Sequence, residues 1–506
     1  LLQALMFWTH DEDDLAPDRS TQGRLPKDVE RWVLGGAGGP TRCDEVIETS
    51  ISWLFLFRGR VLKFKKAVDF GFVDFTTLER RLWAARRELD FNRLTAPTLY
   101  RRLVAIGRTP SGDLAERPED QALDIAVEMA RFDQEAILAR RLPLDGDFAE
   151  SLGRRIGAIH LAAAPGLAGG GSAGLDYVMR SNAEQLARHP GGLMRDDVIA
   201  LEAAATRAWE SARDLLDERL ASGFCRACHG DLHTQNIVLI HGEPVLFDCI
   251  EFSDRLREID VLYDIAFLLM DLAFRGSLEA ANRAFNGWLD ATARGLDSSM
   301  WRGLAVLPLF QAVRATVRAH VSAREGKDEA AGAYLAAAAR WLQPQGARLV
   351  AVGGLSGAGK TFHARRLAPA LGAAPGAVVL RSDEIRKRLM GRSAHERLSQ
   401  EAYRREISAE VYATLERTAA ACLAGGRSVI ADAVFLSAES RRRIEEVADA
   451  AGAPFAGVWL EGRPDVLRRR LGERRGDASD ADAAVLERQL AQDPGEITWA
   501  RTPAGG

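Results

Sequence analysis

Cysteine is scarce in this chain of 506 residues. There are five, Cys43, Cys225, Cys228, Cys249 and Cys422, scattered and odd in number. That excludes a disulfide framework and points to a reducing cytoplasm. Long apolar runs are lacking too, so no segment reads as a membrane span. Nor is there an excess of one charge. The formal net charge is −4 and the pI is near 6.2, which gives no bulk attraction to nucleic acid or anionic lipid. The apolar opening, Leu1 to Trp8, has no basic start and is followed by Asp11, Glu12, Asp13 and Asp14. It is too short for a signal peptide and reads as a first helix or strand. No internal repeat is visible. What remains is an ordinary globular composition, 47% hydrophobic and 27% charged, with arginine far outnumbering lysine. The length calls for two or three domains.

Residues 1–45 mix acidic, Pro and Gly segments and are hard to place. Beyond them, Ile51 to Phe57 and Val61 to Phe64 flank an Arg58-Gly59 turn and predict a β-hairpin. Phe75 to Leu94 has helical spacing, with Asp74 as the expected cap, and Leu123 to Met129 reads as another strand. A small lobe over about 45–132 follows. From 133 to 342 the pattern is mainly helical, over 147–163, 180–221, 259–290 and 301–341, with one hairpin at 237–247. After Gln343-Pro344-Gln345-Gly346 strands and helices alternate. The strands are Leu349 to Gly353, Ala377 to Leu380, Ser428 to Asp432 and Ala456 to Leu460. Such alternation predicts a parallel sheet wrapped by helices. The expected domains are therefore 1–342 and 347–506.

Gly354-Leu355-Ser356-Gly357-Ala358-Gly359-Lys360-Thr361 fits G-x-x-x-x-G-K-[ST] in full, after a strand and opening a helix. Gly354, Gly357 and Gly359 let the backbone curl so that N–H groups, that of Ser356 among them, converge on phosphate oxygens. Lys360 is placed to reach the β/γ-phosphates of ATP, and the Thr361 hydroxyl to ligate Mg²⁺. Two strand ends carry carboxylates, where open α/β sheets bind ligands. Asp432 suits Mg²⁺, and Asp383 an acceptor hydroxyl; each could instead be a helix N-cap. Asp383 with Arg386 resembles the D-x-x-R of polynucleotide-kinase-type P-loop enzymes. Arg468 to Arg475 resembles the lid of small-molecule P-loop kinases, with Arg470 and Arg474 one turn apart as phosphate clamps. A solvated charged face explains that run equally well.

His229-Gly230-Asp231-Leu232-His233-Thr234-Gln235-Asn236 precedes a hairpin and then Asp248. An Asp and an Asn separated by four residues have the spacing of a kinase catalytic loop. A carboxylate there orients or deprotonates the attacking hydroxyl, while Asn236 and Asp248 supply oxygen to metal. This text resembles the aminoglycoside phosphotransferase family, a branch of the protein-kinase-like fold, over roughly residues 45–340. The resemblance implies Asp231 as catalytic base, Asn236 and Asp248 as Mg²⁺ ligands, and Lys63 as the strand lysine that pairs with nucleotide phosphates. It further implies that Glu88 holds that lysine and that Glu128 to Phe132 form the adenine hinge. Lys65 shares a strand face with Lys63 and competes for its role. Asp264 either holds the catalytic loop or caps the apolar helix that follows it. The pairing of both halves resembles a bacterial fusion family, aminoglycoside phosphotransferase/ATP-binding protein.

Cys225-Arg226-Ala227-Cys228-His229 has the form of a haem-attachment motif. Its histidine belongs to the catalytic-loop text, and no second Cys or His pair stands at zinc spacing, so neither haem nor zinc is expected. The expected fold is a two-domain α+β and α/β chain, a bilobal protein-kinase-like fold followed by a P-loop parallel-sheet domain. The expected function is that of a cytoplasmic, bifunctional kinase acting on small-molecule hydroxyls. Nucleic acid enters only as a 5′-end substrate of the second domain, and no membrane partner is expected. Two rivals stand beside this reading: a nucleotide-responsive regulator with one non-catalytic domain, and a zeta-toxin-like kinase in the C-terminal half.

Overall fold

The computed structural model describes residues 23–39, 41–69, 73–188, 191–393, 396–473 and 479–504. The opening Leu1 to Trp8 and the candidate clamp Arg474 lie outside the described residues. By compactness the chain divides into two units, one of residues 1–142, 163–271 and 313–338, the other of 143–162, 272–312 and 339–506.

The first unit is built on a six-stranded antiparallel sheet. Its strands are β1 (Glu45–Glu48), β2 (Ser52–Leu56), β3 (Arg60–Lys65), β4 (Tyr100–Arg108), β5 (Leu114–Glu116) and β6 (Asp124–Ala130), in the order β1-β2-β3-β6-β4-β5. Strand alternation sorts β3 cleanly. Leu62 and Phe64 pack with Val29 and Val33 of the Lys27–Leu34 helix. Val61 points the other way, into a core with Ala85 and Leu89 of the Leu78–Arg93 helix. Lys63 and Lys65 share that second face by the same period of two.

Several boundaries differ from the sequence expectation, each for a local reason. The Leu78–Arg93 helix is capped by Thr77, whose hydroxyl accepts from Arg80 N, and not by Asp74. Asp74 instead accepts from Thr76 N at 3.0 Å, one step upstream. The expected 180–221 helix is two helices, Gly171–Arg188 and Arg195–Ala221, because Gly191 adopts a left-handed φ of +50°. Gly276 (φ +79°) likewise separates Val261–Phe274 from Leu278–Thr292, and Gly326 (φ +71°) separates Leu307–Arg324 from Asp328–Trp341. Short strands β7 (Cys225–Ala227), β8 (Ile237–Ile240), β9 (Glu243–Leu246) and β10 (Glu258–Asp260) frame the central loop, with β7 pairing β10 and β8 pairing β9.

The second unit holds a five-stranded parallel sheet of β11 (Leu349–Gly354), β12 (Val378–Arg381), β13 (Val429–Asp432), β14 (Phe455–Glu461) and β15 (Ala500–Pro503). Their order is β12-β13-β11-β14-β15, and every neighbouring pair is parallel. Val350, Val352, Ile430 and Leu460 form its core with Ala364, Leu467 and Leu486 of flanking helices. The Gly146–Ala162 and Leu278–Thr292 helices also belong to this unit. They pack at glycine distance: a Cβ on Gly153 would stand 1.9 Å from Ala284 O, and one on Gly287 2.1 Å from Glu150 O. The fold class is the one the sequence predicts, an antiparallel-sheet α+β part followed by a parallel α/β part. Among the described residues no helix is long and apolar enough to cross a membrane.

Candidate active sites

In the first unit two lysines of β3 converge on one glutamate. Lys63 Nζ lies 2.7 Å from Glu88 Oε1 and 2.7 Å from Asp248 Oδ1. Lys65 Nζ lies 2.6 Å from Glu88 Oε2 and also pairs with Glu251. The Leu78–Arg93 helix presents Glu88 to that face, fully buried. Burial alone would raise its pKa; Lys63 and Lys65 overrule it and pull Glu88 down to about 2. Burial likewise works against the Lys63 ammonium, and Asp248 and Glu88 outweigh it, raising Lys63 well above its usual range. The two lysines thus differ in their second partner: only Lys63 reaches the candidate metal ligand Asp248.

The loop carrying Asp231 is fixed by backbone capture. Asp264, buried in the Val261–Phe274 helix, accepts from His229 N (3.2 Å) and Gly230 N (2.8 Å). It holds the loop and is not the cap of that helix. Arg314 donates to Gly230 O at 3.0 Å. Gly230 has φ +82°, and a Cβ there would stand 2.8 Å from Leu256 O, so this turn needs glycine. Farther along, Asp271 accepts from Thr234 N at 3.0 Å. Asn236 Nδ2 donates to Asp231 Oδ2 at 2.9 Å, which joins the candidate base to a candidate metal ligand. Hairpin β8–β9 pairs Ile237 with Leu246, and Phe247 N donates to Asn236 O at 3.0 Å. Asp248 is one residue beyond, in a left-handed conformation (φ +60°), with its N–H on the Tyr100 hydroxyl at 3.2 Å. Asn236 and Asp248 therefore flank the open end of one hairpin, and both offer the oxygen donors that Mg²⁺ takes.

At the expected hinge, Glu128 lies on β6 and pairs with Arg102 at 3.0 Å, and Phe132 stacks edge-on with Phe247 at 5.3 Å. The Cys-x-x-Cys-His stretch is part of this scaffold. His229 Nε2 bonds Phe247 O at 2.9 Å, and its Nδ1 accepts from Asp231 N at 3.3 Å. Burial raises the Cys225 thiol to about 12.

In the second unit the P-loop connects β11 to the Lys360–Leu367 helix. Gly354, Gly357 and Gly359 all have positive φ, and a Cβ on Gly357 would meet Leu467 O at 2.8 Å. The Thr361 hydroxyl donates to Asp432 Oδ2 at 2.6 Å, joining the two residues expected at the metal. Burial pushes Asp432 up, while Arg381 and Lys360 pull it down. Lys360 Nζ donates to Leu355 O at 3.2 Å, back across its own loop. Ser356 N donates to the Gln489 side-chain oxygen at 2.8 Å, so this loop N–H is occupied by an oxygen acceptor from the protein. Ser356, Gly357, Gly359, Lys360, Thr361 and Asp432 line a cavity of about 440 Å³ that Asp383, Arg386 and Arg470 also line. Arg386 is tied to Ala402 O (2.7 Å) and lies over the Tyr403 ring at 4.8 Å. Arg470 reaches Ala504 O at 3.4 Å.

Sequence reasoning missed Glu251, Asp271, Arg314 and Gln489. For Glu251 a signal existed: a second buried lysine on β3 demands a second carboxylate. Gln489 gave none, because it lies 133 residues from Ser356.

Residues 80–306 match the Phosphotransferase enzyme family, and residues 349–493 match an AAA domain. Two curated relatives are the uncharacterized proteins Rv2004c of Mycobacterium tuberculosis and Mb2027c of Mycobacterium bovis. Each is 30% identical over 488 residues, covering 89% of this chain and 91% of the relative. The chain belongs to their family. It joins a phosphotransferase-family segment to a P-loop kinase-like segment, a class of proteins that generally uses ATP and Mg²⁺. Among solved structures it is similar to a gluconokinase from Sinorhizobium meliloti 1021 (23% identity, 32% of this chain, 84% of that one, TM-score 0.23). It is also similar to the GDP complex of aminoglycoside 2′-phosphotransferase-IIIa (12% identity, 63% and 99%, TM-score 0.39).

Proposed function

We propose that this cytoplasmic chain is a bifunctional, ATP- and Mg²⁺-dependent phosphotransferase, each site moving a γ-phosphoryl group to a hydroxyl acceptor. The observation that carries the reading is the convergence of Lys63 on Glu88 and Asp248, 2.7 Å from each, beside a loop on which Asn236 holds Asp231. Bound Mg-ATP supplies the phosphoryl group and part of the charge neutralisation. The residues supply position. Lys63 leaves Asp248 for a nucleotide phosphate, and Asn236 and Asp248 offer oxygens to the cation. Asp231 accepts the proton as the acceptor oxygen bonds to phosphorus and the bond to the ADP oxygen breaks. In the second unit Lys360, Thr361 and Asp432 take the corresponding phosphate and metal roles, Arg470 closes on the phosphoryl group, and Asp383 with Arg386 faces the acceptor.

The acceptors we infer are small-molecule hydroxyls, with a nucleic-acid 5′ end considered only for the second site. The test is ATP turnover by the full chain, wild type beside Asp231→Asn and Lys360→Ala, with and without pooled metabolites and RNA. Additive losses of stimulated turnover support two working sites. Loss in Lys360→Ala alone removes catalysis from the first site and leaves it a sensor.

A further inference from the structure

The second unit contains two helices, Gly146–Ala162 and Leu278–Thr292, that precede the P-loop stretch by more than fifty residues. They do more than pack against it. β12 is one of the two edge strands of the parallel sheet, and an edge leaves backbone groups unpaired. Here Asn286 accepts from Val379 N at 2.7 Å, and Asn282 and Asn286 donate to Ala377 O at 3.0 and 3.2 Å. Two asparagines one helical turn apart thus complete the edge that leads into Asp383.

A line of alternating charges runs from the same helices into the nucleotide site. Glu150, buried, accepts from Arg283 Nε at 2.9 Å and from Arg365 at 2.8 Å. Arg365 lies on the P-loop helix, five residues past Lys360. Glu150 also pairs with Arg154, and Arg154 lies 3.4 Å from both Glu384 and Asp290. Glu384, next to Asp383, takes Arg381 at 2.9 Å; Arg381 in turn lies 3.7 Å from Asp432 Oδ2, the oxygen that accepts from Thr361. The series Glu150–Arg154–Glu384–Arg381–Asp432 spans from the Gly146–Ala162 helix to the candidate metal ligands.

We propose that Glu150 and Arg154 are positioning residues of the P-loop site, setting the Asp432 carboxylate through Glu384 and Arg381. This rests on the reading of that site as a Mg-nucleotide site. Arg154 separates three carboxylates. Without its charge Glu384 leans more on Arg381, its ion-pair partner at 2.9 Å, and Arg381 is drawn from Asp432 toward Glu384. Outer partners of metal ligands commonly change metal affinity by about 10–100-fold.

The experiment uses the full chain and a fluorescent ATP analogue titrated with Mg²⁺; the binding component lost in Lys360→Ala reports the P-loop site. Arg154→Gln is expected to raise the Mg²⁺ concentration for half-saturation by about tenfold while leaving Mg²⁺-free nucleotide binding at that site unchanged. Arg154→Lys, which keeps the charge, is expected to return it toward wild type. If Arg154→Gln does not fold, Arg154→Gln/Asp290→Asn removes one opposed charge with it, leaves Glu384 to draw on Arg381, and should show the same rise. Wild-type Mg²⁺ dependence in the folded variant overturns the proposal. So does an equal loss of binding with and without Mg²⁺, which marks a merely structural role. If Lys360→Ala itself binds nucleotide like wild type, the phosphate-site reading falls, and this inference with it.

Discussion

Glu88 divides its two carboxylate oxygens between two lysines of one strand, Oε1 to Lys63 and Oε2 to Lys65, at 2.7 and 2.6 Å. The symmetry ends at the outer partners, Asp248 for Lys63 and Glu251 for Lys65. Lys63 therefore stands at the candidate metal ligand and Lys65 behind it. Lys63→Met should lower nucleotide affinity at the first site at least about tenfold, the scale of one charge-assisted contact to phosphate. Lys65→Met should instead act on stability, by about 3–5 kcal/mol, because it leaves Glu251 buried and unpaired. Calorimetric ATP titration and urea unfolding of both variants check this, and the reverse pattern would make Lys65 the phosphate lysine.

Asp231 is buried and takes a hydrogen bond from Asn236 at 2.9 Å. Asp231→Asn keeps the shape and removes the proton acceptor. Acceptor-stimulated turnover at the first site should fall by about 10²–10⁴-fold, the usual worth of a general base, with ATP binding nearly intact. A collapse of ATP binding in that variant would assign the side chain to scaffolding.

The depressed Glu88 pKa has a consequence for acid stability. Its carboxyl goes from about 4.5 when exposed to about 2 when folded, so the folded state binds the proton less readily than the unfolded one. That stability is fully present above pH 4.5 and is lost as pH falls toward 2. Glu88→Gln should be less stable than wild type at neutral pH by a few kcal/mol, roughly 3. The gap should close as pH drops through that window. Urea midpoints of the two proteins from pH 7 to pH 2 measure it; a constant gap would mean that the charge on Glu88 contributes nothing.

What could be read from the sequence follows the range of each signal. The P-loop, the Asp231 loop and the hairpin before Asp248 are local patterns whose chemistry and geometry coincide within a dozen residues. Strand β4 (Tyr100–Arg108) escaped because Arg101 and Arg102 break its alternation, and its pairing with β6 shifts register at that point. Helical periodicity revealed a helix near 147–163 and another ending near 290, but a period of 3.6 marks a buried face without naming what covers it. Their membership of the P-loop unit depends on Asn282, Asn286 and Glu150, polar residues that a hydrophobic pattern treats as noise. The helix breaks at Gly276 and Gly326 escaped too, because helical spacing continues on both sides of each glycine and a left-handed φ is a property of the folded backbone.

Gln489 offers the last prediction. Its side-chain oxygen accepts from Ser356 N at 2.8 Å, in the loop that is to receive phosphate. The side chain comes from the Ala483–Leu490 helix, whose Leu486 is buried in the core with Leu467 and Leu471. The bond must be exchanged if a phosphate oxygen is to use the same N–H, and an amide–carbonyl bond contributes about 0.5–1.5 kcal/mol net. Gln489→Ala should therefore tighten nucleotide binding at the P-loop site by roughly two- to tenfold, the same energy expressed as an affinity. The Lys360→Ala background should cancel the gain, because the competing ligand no longer binds there. Calorimetry on the single and double variants decides it. Weaker binding in Gln489→Ala would show that the glutamine contacts the nucleotide directly and does not compete with it, because a lost contact and a lost competitor change affinity in opposite directions.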